Sequence, residues 1–347
     1  MKFFEKYLTV FVLICMVIGV LIGYYFEFIP EFLNRFELAN INLPIGILIW
    51  VMIYPMMLKI DFSSVKKVGQ NPKGLYLTWI VNWVIKPFAM FGIAYLFFYV
   101  IFKAIIPLDL AQDYLAGAVL LGAAPCTAMV FVWSGLTKGN PAYTLVQVAT
   151  NDLLILVLFV PIVGLLLGVS GIVVPWLTLF FSVFIFVVIP LLFASLTRHF
   201  IVKHKGLSYF ENSFIPKFNG ITITGLLLTL ILIFSLQSNL ILDNPLHIIL
   251  IAIPLIIQTM FIFIIAYISA KKLDLPHDIA SPAAMIGASN FFELSVAVAI
   301  ALFPTHPAVA LATIVGVLVE VPVMLLLVRI SNQTINWFKK GLPYEKN

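Results

Sequence analysis

Apolar stretches of about 20 residues follow one another through most of this 347-residue chain, and two of them are broken at matching places. Each is long enough to cross a bilayer as a helix. Lipid offers no partner to a backbone N–H or C=O, so such a chain folds as helices that satisfy their own backbone. The breaks are the exceptions. One reads GAAPCTAMVF from Gly122 to Phe131, with Cys126 directly after a proline; the other reads GASNFFELSV from Gly287 to Val296, with Asn290 and Glu293 inside an apolar run. Glycine, proline and asparagine loosen a helix, and unwound backbone at that depth persists only where protein or a water-filled cavity serves it. Interrupted spans in corresponding halves of a chain point to a transporter's binding site.

Hydrophobic residues make up 63% of the chain and charged residues 10%. Soluble domains run at about 45–50% and 25%, so a soluble protein is excluded. The net charge of +5 reports orientation rather than a nucleic-acid partner. All but three of the 20 Lys and Arg lie in alternate connections or at the two ends, the exceptions being Arg35, Lys103 and Lys86. The opposite connections hold Glu27, Glu31, Glu37, Asp109, Asp113 and Asp243. This positive-inside pattern places both termini in the cytoplasm, in a multi-pass protein of the cell membrane. The first apolar run, about 7–26, lacks a small-residue cleavage site and reads as a retained helix. Cys15 and Cys126 fall in different spans and imply no disulfide framework.

Ten spans are expected, at about 7–26, 43–58, 75–101, 114–136, 143–168, 173–196, 218–241, 246–270, 279–303 and 308–330. The chain thus reads as a single all-α polytopic membrane domain over 1–347. Five plus five is an informative split, because an odd-numbered unit duplicated in tandem inserts its second copy upside down. Gly122-Ala123-Ala124 matches Gly287-Ala288-Ser289 165 residues later, and Asn140-Pro141-Ala142 matches His306-Pro307-Ala308 at a spacing of 166. Each proline opens a helix, where its missing N–H costs little. A buried acid follows in each copy, Asp152 in span five and Glu320 in span ten. The expected fold is two inverted five-helix repeats, about 1–170 and 171–347. Asn140-Pro141-Ala142 is also the water-channel tripeptide, but channels need two on facing half-helices. Here it stands once, in a connection beside Lys138, and reads as a helix cap.

A charge at bilayer depth costs about 2.5–3.5 kcal/mol or more, so Lys86, Asp152, Glu293 and Glu320 each need a reason. Glu293 follows the loosened Ser289-Asn290 and falls in the first turn of a half-helix, where unpaired N–H groups stabilise a carboxylate. In a cavity it can take up and lose a proton. Cys126 opens the other half-helix, and a thiolate is both a nucleophile and a soft ligand; a small buried hydrophobe is the alternative, and it suits Cys15. Asn151 and Asp152 serve equally as a cation site, as partners for a polar solute or as a brace between broken helices. Glu320, before Val321-Pro322, accepts bonds from backbone that the proline frees, or handles protons. Lys86 reads as a counter-ion for Glu293 or Glu320, and Trp133 as a cavity wall or a packing residue. The five histidines lie at span ends or in connections without metal-ligand spacing, and no nucleotide loop or hydrolase constellation occurs. No metal, cofactor or enzymatic reaction is expected.

The blocks MMLKIDF (56–62), NWVIKPF (82–88), GAAPCTAMVFVWSGLTKGNPAYTLVQVATNDL (122–153), ASNFFELSVAVAI (288–300) and VGVLVEVPVML (315–325) carry a resemblance over essentially the whole chain. It resembles the Acr3-type arsenite efflux permeases, relatives of the bile acid–sodium symporters. The resemblance implies ten helices in two inverted repeats, with the fourth and ninth broken and crossing near the midplane. It implies efflux of arsenite, and of antimonite in some members, in exchange for protons. The cysteine and glutamate that the family requires match Cys126 and Glu293, and further functional positions match Asn151, Trp133 and Glu320. On that reading arsenite meets Cys126 while Asn151, Asn290 and Glu293 contact its hydroxyls, and Glu293, with Glu320 and Asp152 as further candidates, carries the proton. A sodium-coupled organic-anion importer on the same scaffold is the competing expectation.

Overall fold

The computed structural model describes residues 2–26, 28, 32, 37–38, 41–59, 72–126, 129–243 and 245–338. Glu27, Glu31, Arg35, Lys66, Lys67 and the three lysines of the C-terminal tail, on which the orientation partly rests, lie outside the described residues, as do positions 60–62.

Helices occupy all ten expected stretches. They are α1 (Lys2–Tyr25), α2 (Leu43–Met57), α3 (Pro72–Ile101), α4 (Leu108–Gly122), α5 (Val130–Leu136), α6 (Pro141–Val169), α7 (Trp176–Lys205), α8 (Phe218–Leu236), α9 (Pro245–Lys272), α10 (His277–Ala288), α11 (Phe292–Leu302) and α12 (Pro307–Gln333). Two-residue strands, Glu37–Leu38 and Ile41–Asn42, pair antiparallel before α2. By length and composition α3, α6, α7, α9 and α12 are each able to cross a membrane, and α11 and parts of α1, α2 and α8 are shorter apolar helices. At about 1.5 Å per residue, a 30-residue helix such as α7 outreaches a bilayer core of about 30 Å. Its basic last turn, Lys203-His204-Lys205, carries it past the expected end at 196.

Apolar residues also cover the outside, with Phe180, Phe184, Leu192 and Leu196 of α7 all exposed. Such a surface suits lipid and not water. The interior is organised around α12, where 78% of the apolar window is buried against 28–44% in the other four long helices. α1, α2 and α8 pack mainly on one another, α3, α4, α6, α9, α10, α11 and α12 form a second group, and α7 lies between them, packing on α2 and on α11.

Small residues bring the site's helices together. Gly117 of α4 lies against the Val309 carbonyl and Ala312 of α12, and Gly316 of α12 lies against Leu121. Without a Cβ the two backbones approach closely, as helices in lipid do where glycine meets them. One turn beyond Gly316 stands Glu320; just beyond Leu121 α4 ends. That contact sets the acid beside the first break.

Candidate functional site

Both expected breaks are present, between α4 and α5 and between α10 and α11. Pro125 has no N–H to continue α4 and biases the residue before it away from helix. In the second break Ser289 is extended (φ −82°, ψ 146°). The two unwound segments pair across each other. Pro125 and Asn290 form an isolated antiparallel bridge, with Cys126 N–H donating to Ser289 O at 3.3 Å and Phe291 N–H to Ala124 O at 3.1 Å. Backbone groups released by two helices thus satisfy one another, as a buried interruption requires.

Four chemically capable side chains converge on this crossing. Cys126 is buried in the unwound segment, four residues ahead of α5 rather than at its first turn. Ser289 and Met129 are polar neighbours of its thiol. Ser289 donates to Oε1 of Glu320, and the Asn290 backbone lies beside the same carboxylate. Glu320 therefore bonds the second break, and the group it serves is the Ser289 hydroxyl rather than backbone freed by Pro322. Glu293 occupies the first turn of α11, and its Oε2 is buried without a partner among the described residues. Asn290 Oδ1 and Trp133 Nε1 are likewise buried and unpartnered.

Lys86 is wholly buried just after a widened turn, Val81–Ile85, where Pro87 disturbs the α-helical bonding of α3. Its Nζ donates to Ser289 O at 2.5 Å and Ala124 O at 3.4 Å. Among the described residues it forms no ion pair with either acid for which it is the expected counter-ion, and of the two Glu320 is the one near enough to act on it.

Asn151 faces a different set of partners. Its Oδ1 accepts from Asn82 Nδ2 at 3.1 Å and Trp83 Nε1 at 2.9 Å, and its Nδ2 donates to Gln147 O at 2.8 Å. These bonds join α6 to the widened turn that carries Lys86. Asp152, next in line, is fully buried, and neither of its oxygens has a partner among the described residues. Asn140 caps α6 as expected, its side chain accepting the Tyr143 N–H at 3.0 Å.

A cavity of about 20 Å³ lies between the groups of helices, against Cys126, Met129, Trp133, Phe292 and Glu320 on one side and Leu226 of α8 on the other. Its size suits about one water molecule. A larger cavity, about 450 Å³, opens beside Asp113, whose carboxylate accepts from His306 Nδ1 at 3.0 Å. Ser289 and the Lys86 carbonyl contacts are what sequence reasoning did not single out. The available signal was Ser289's place in the GASN block and the Lys86-Pro87 pair.

Broken helices crossing at a buried thiol and carboxylates, inside an apolar helical body, define a membrane transporter. The sequence model of the Sodium Bile acid symporter family matches residues 46–244. The chain is 60% identical over 336 residues to the Arsenical-resistance protein Acr3 of Alkaliphilus metalliredigens, covering 97% of this chain and 94% of that one. It is 46% identical over 349 residues to the uncharacterized transporter slr0944 of Synechocystis, covering 98% and 91%. It is 32% identical over 336 residues to the Acr3 protein of Corynebacterium glutamicum, covering 94% and 88%. The chain belongs to the Sodium Bile acid symporter family and, within it, to the Acr3 arsenical-resistance proteins.

Proposed function

We propose that this transporter exports arsenite across the cell membrane in exchange for protons, by alternating access around Cys126 and Glu293. Antimonite, which also presents three hydroxyls around a soft centre, is a second substrate. The observation that carries the reading is the meeting of Cys126, Ser289 and Glu320 at the crossing, with Glu293 in the first turn of α11. Ten spans in two inverted five-helix repeats with both termini cytoplasmic complete it. The Pro125–Asn290 bridge supports the repeat, because these residues lie 165 apart, the spacing of the matched blocks.

Arsenite near neutral pH is a small neutral trihydroxide. The Cys126 thiol replaces one hydroxyl: an arsenic–sulfur bond forms, an arsenic–oxygen bond breaks, and the thiol proton leaves with the hydroxyl as water. Ser289, a neighbour of the thiol and bonded to Glu320, gives that proton a path. One thiolate confers selectivity for a soft centre over polyols of similar shape, and the lack of further thiols leaves binding reversible. Trp133 Nε1 and Asn290 Oδ1 are buried polar atoms able to receive the remaining hydroxyls. Glu293 exchanges the coupling proton, and Asn151 positions Lys86 and α3 through its bonds to Asn82 and Trp83. Asp152, buried beside Asn151, is a further proton carrier.

Uptake of arsenite into everted vesicles tests this, with proton and sodium gradients imposed separately. Uptake should follow the proton gradient and ignore sodium. Sodium-dependent movement of an organic anion with no response to arsenite would establish the importer instead.

A further inference from the structure

The family's description names sodium, yet the crossing does not fit a bare sodium ion. Carbonyls just beyond the C-terminal ends of half-helices suit cations, because the helix dipole makes those ends negative. Here α4 ends at Gly122 and α10 at Ala288, and the carbonyls just past those ends, of Ala124 and Ser289, meet at one point. That point holds the Lys86 ammonium. Ala124 and Ser289 correspond in the two matched blocks, so one cation serves two equivalent carbonyls. No second lysine balances it: α9, which occupies the place of α3 in the other half, carries no Lys or Arg before Lys271. Glu320 supplies the neighbouring negative charge through Ser289.

We propose that Lys86 is a tethered cation standing where a coupling metal ion would sit, and that it makes this transporter independent of sodium. A covalently held ammonium stays through the transport cycle. The seat at the two carbonyls stays filled, and no metal ion needs to enter or leave it. Coupling then falls to groups that gain and lose protons. The inference rests on the chain being a secondary transporter and is tested by ion binding without arsenite, so its failure is distinguishable from failure of the arsenite reading.

Purified full-length protein and Lys86→Ala are melted at constant ionic strength in choline, sodium, lithium, potassium or methylammonium chloride. Wild type should melt alike in choline and sodium. Lys86→Ala should melt lower in choline and recover by about 3 °C or more in one of the small cations, as saturating a vacated site requires. A saturable sodium effect on wild type would overturn the proposal, as would a Lys86→Ala protein that no cation restores or that needs none. If Lys86→Ala does not accumulate, Lys86→Ala combined with Glu320→Gln removes both charges: accumulation near the wild-type level supports the proposal, and continued failure overturns it.

Discussion

Ser289 donates its hydroxyl hydrogen to Glu320, and through this bond the break between α10 and α11 is held to α12. The same side chain is a neighbour of the Cys126 thiol, from the other break. One side chain of modest size therefore connects the nucleophile, the acid and both interrupted helices. Ser289→Ala should lower arsenite transport about tenfold or more while leaving the melting temperature near wild type, and Ser289→Thr should restore most of the rate. Equal transport by the alanine variant would remove the relay from the mechanism.

Cys126→Ser and Cys126→Ala should each abolish arsenite uptake into everted vesicles at normal protein levels, because oxygen or a methyl group cannot act as the soft ligand. Full transport by Cys126→Ala would sink the thiol step. Cys15 is buried in α1, away from the crossing, and Cys15→Ser should be nearly silent.

Glu293→Gln keeps the size of the side chain and removes the exchangeable proton. Arsenite-driven proton movement, followed with a pH-sensitive dye in vesicles, should vanish. Retained proton movement in this variant would assign coupling to Glu320 or Asp152.

Asn151→Leu should act on stability before it acts on chemistry. It leaves the buried Asn82 amide and Trp83 indole N–H without their shared acceptor. An orphaned buried donor costs about 1–3 kcal/mol, so a clear fall in melting temperature is expected. An unchanged melting temperature with lost transport would instead give Asn151 a direct contact with the substrate.

Gly117→Leu should be disruptive out of proportion to its apolar character. A Cβ there meets the Val309 carbonyl and Ala312 of α12. Overpacking of this kind costs about 1–3 kcal/mol, occasionally more, and would push Glu320 away from the first break. Lower yield and transport, measured against Gly117→Ala as the milder case, test the close approach.

Much of this was legible along the chain. Apolar length located the ten helical stretches, and Gly122, Pro125 and Asn290 marked the two interruptions. Helix ends were less legible: α7 runs to Lys205, and Cys126 precedes α5 by four residues. A long apolar helix stops where lipid stops mattering, and solvated turns beyond it have no periodic signature. Least legible were the partners of buried polar groups. Lys86 bonds residues 38 and 203 positions away, and no local pattern encodes such a choice.

The two interruptions, with Cys126 in one and Glu293 in the other, were marked by composition and order, by glycine, proline and asparagine clustered beside polar groups, although Pro161 and Pro254 stay inside unbroken helices. Which group bonds which depended on how far each helix is rotated about its axis, and that is set by packing. Gly117 and Gly316 bring α4 and α12 together, the widened turn of α3 swings Lys86 inward, and the crossing closes around them. Sequence named the reactive residues; the close approach of helices far apart in the chain made Glu320 and Ser289 the partners of Cys126, and made two backbone carbonyls the seat of Lys86.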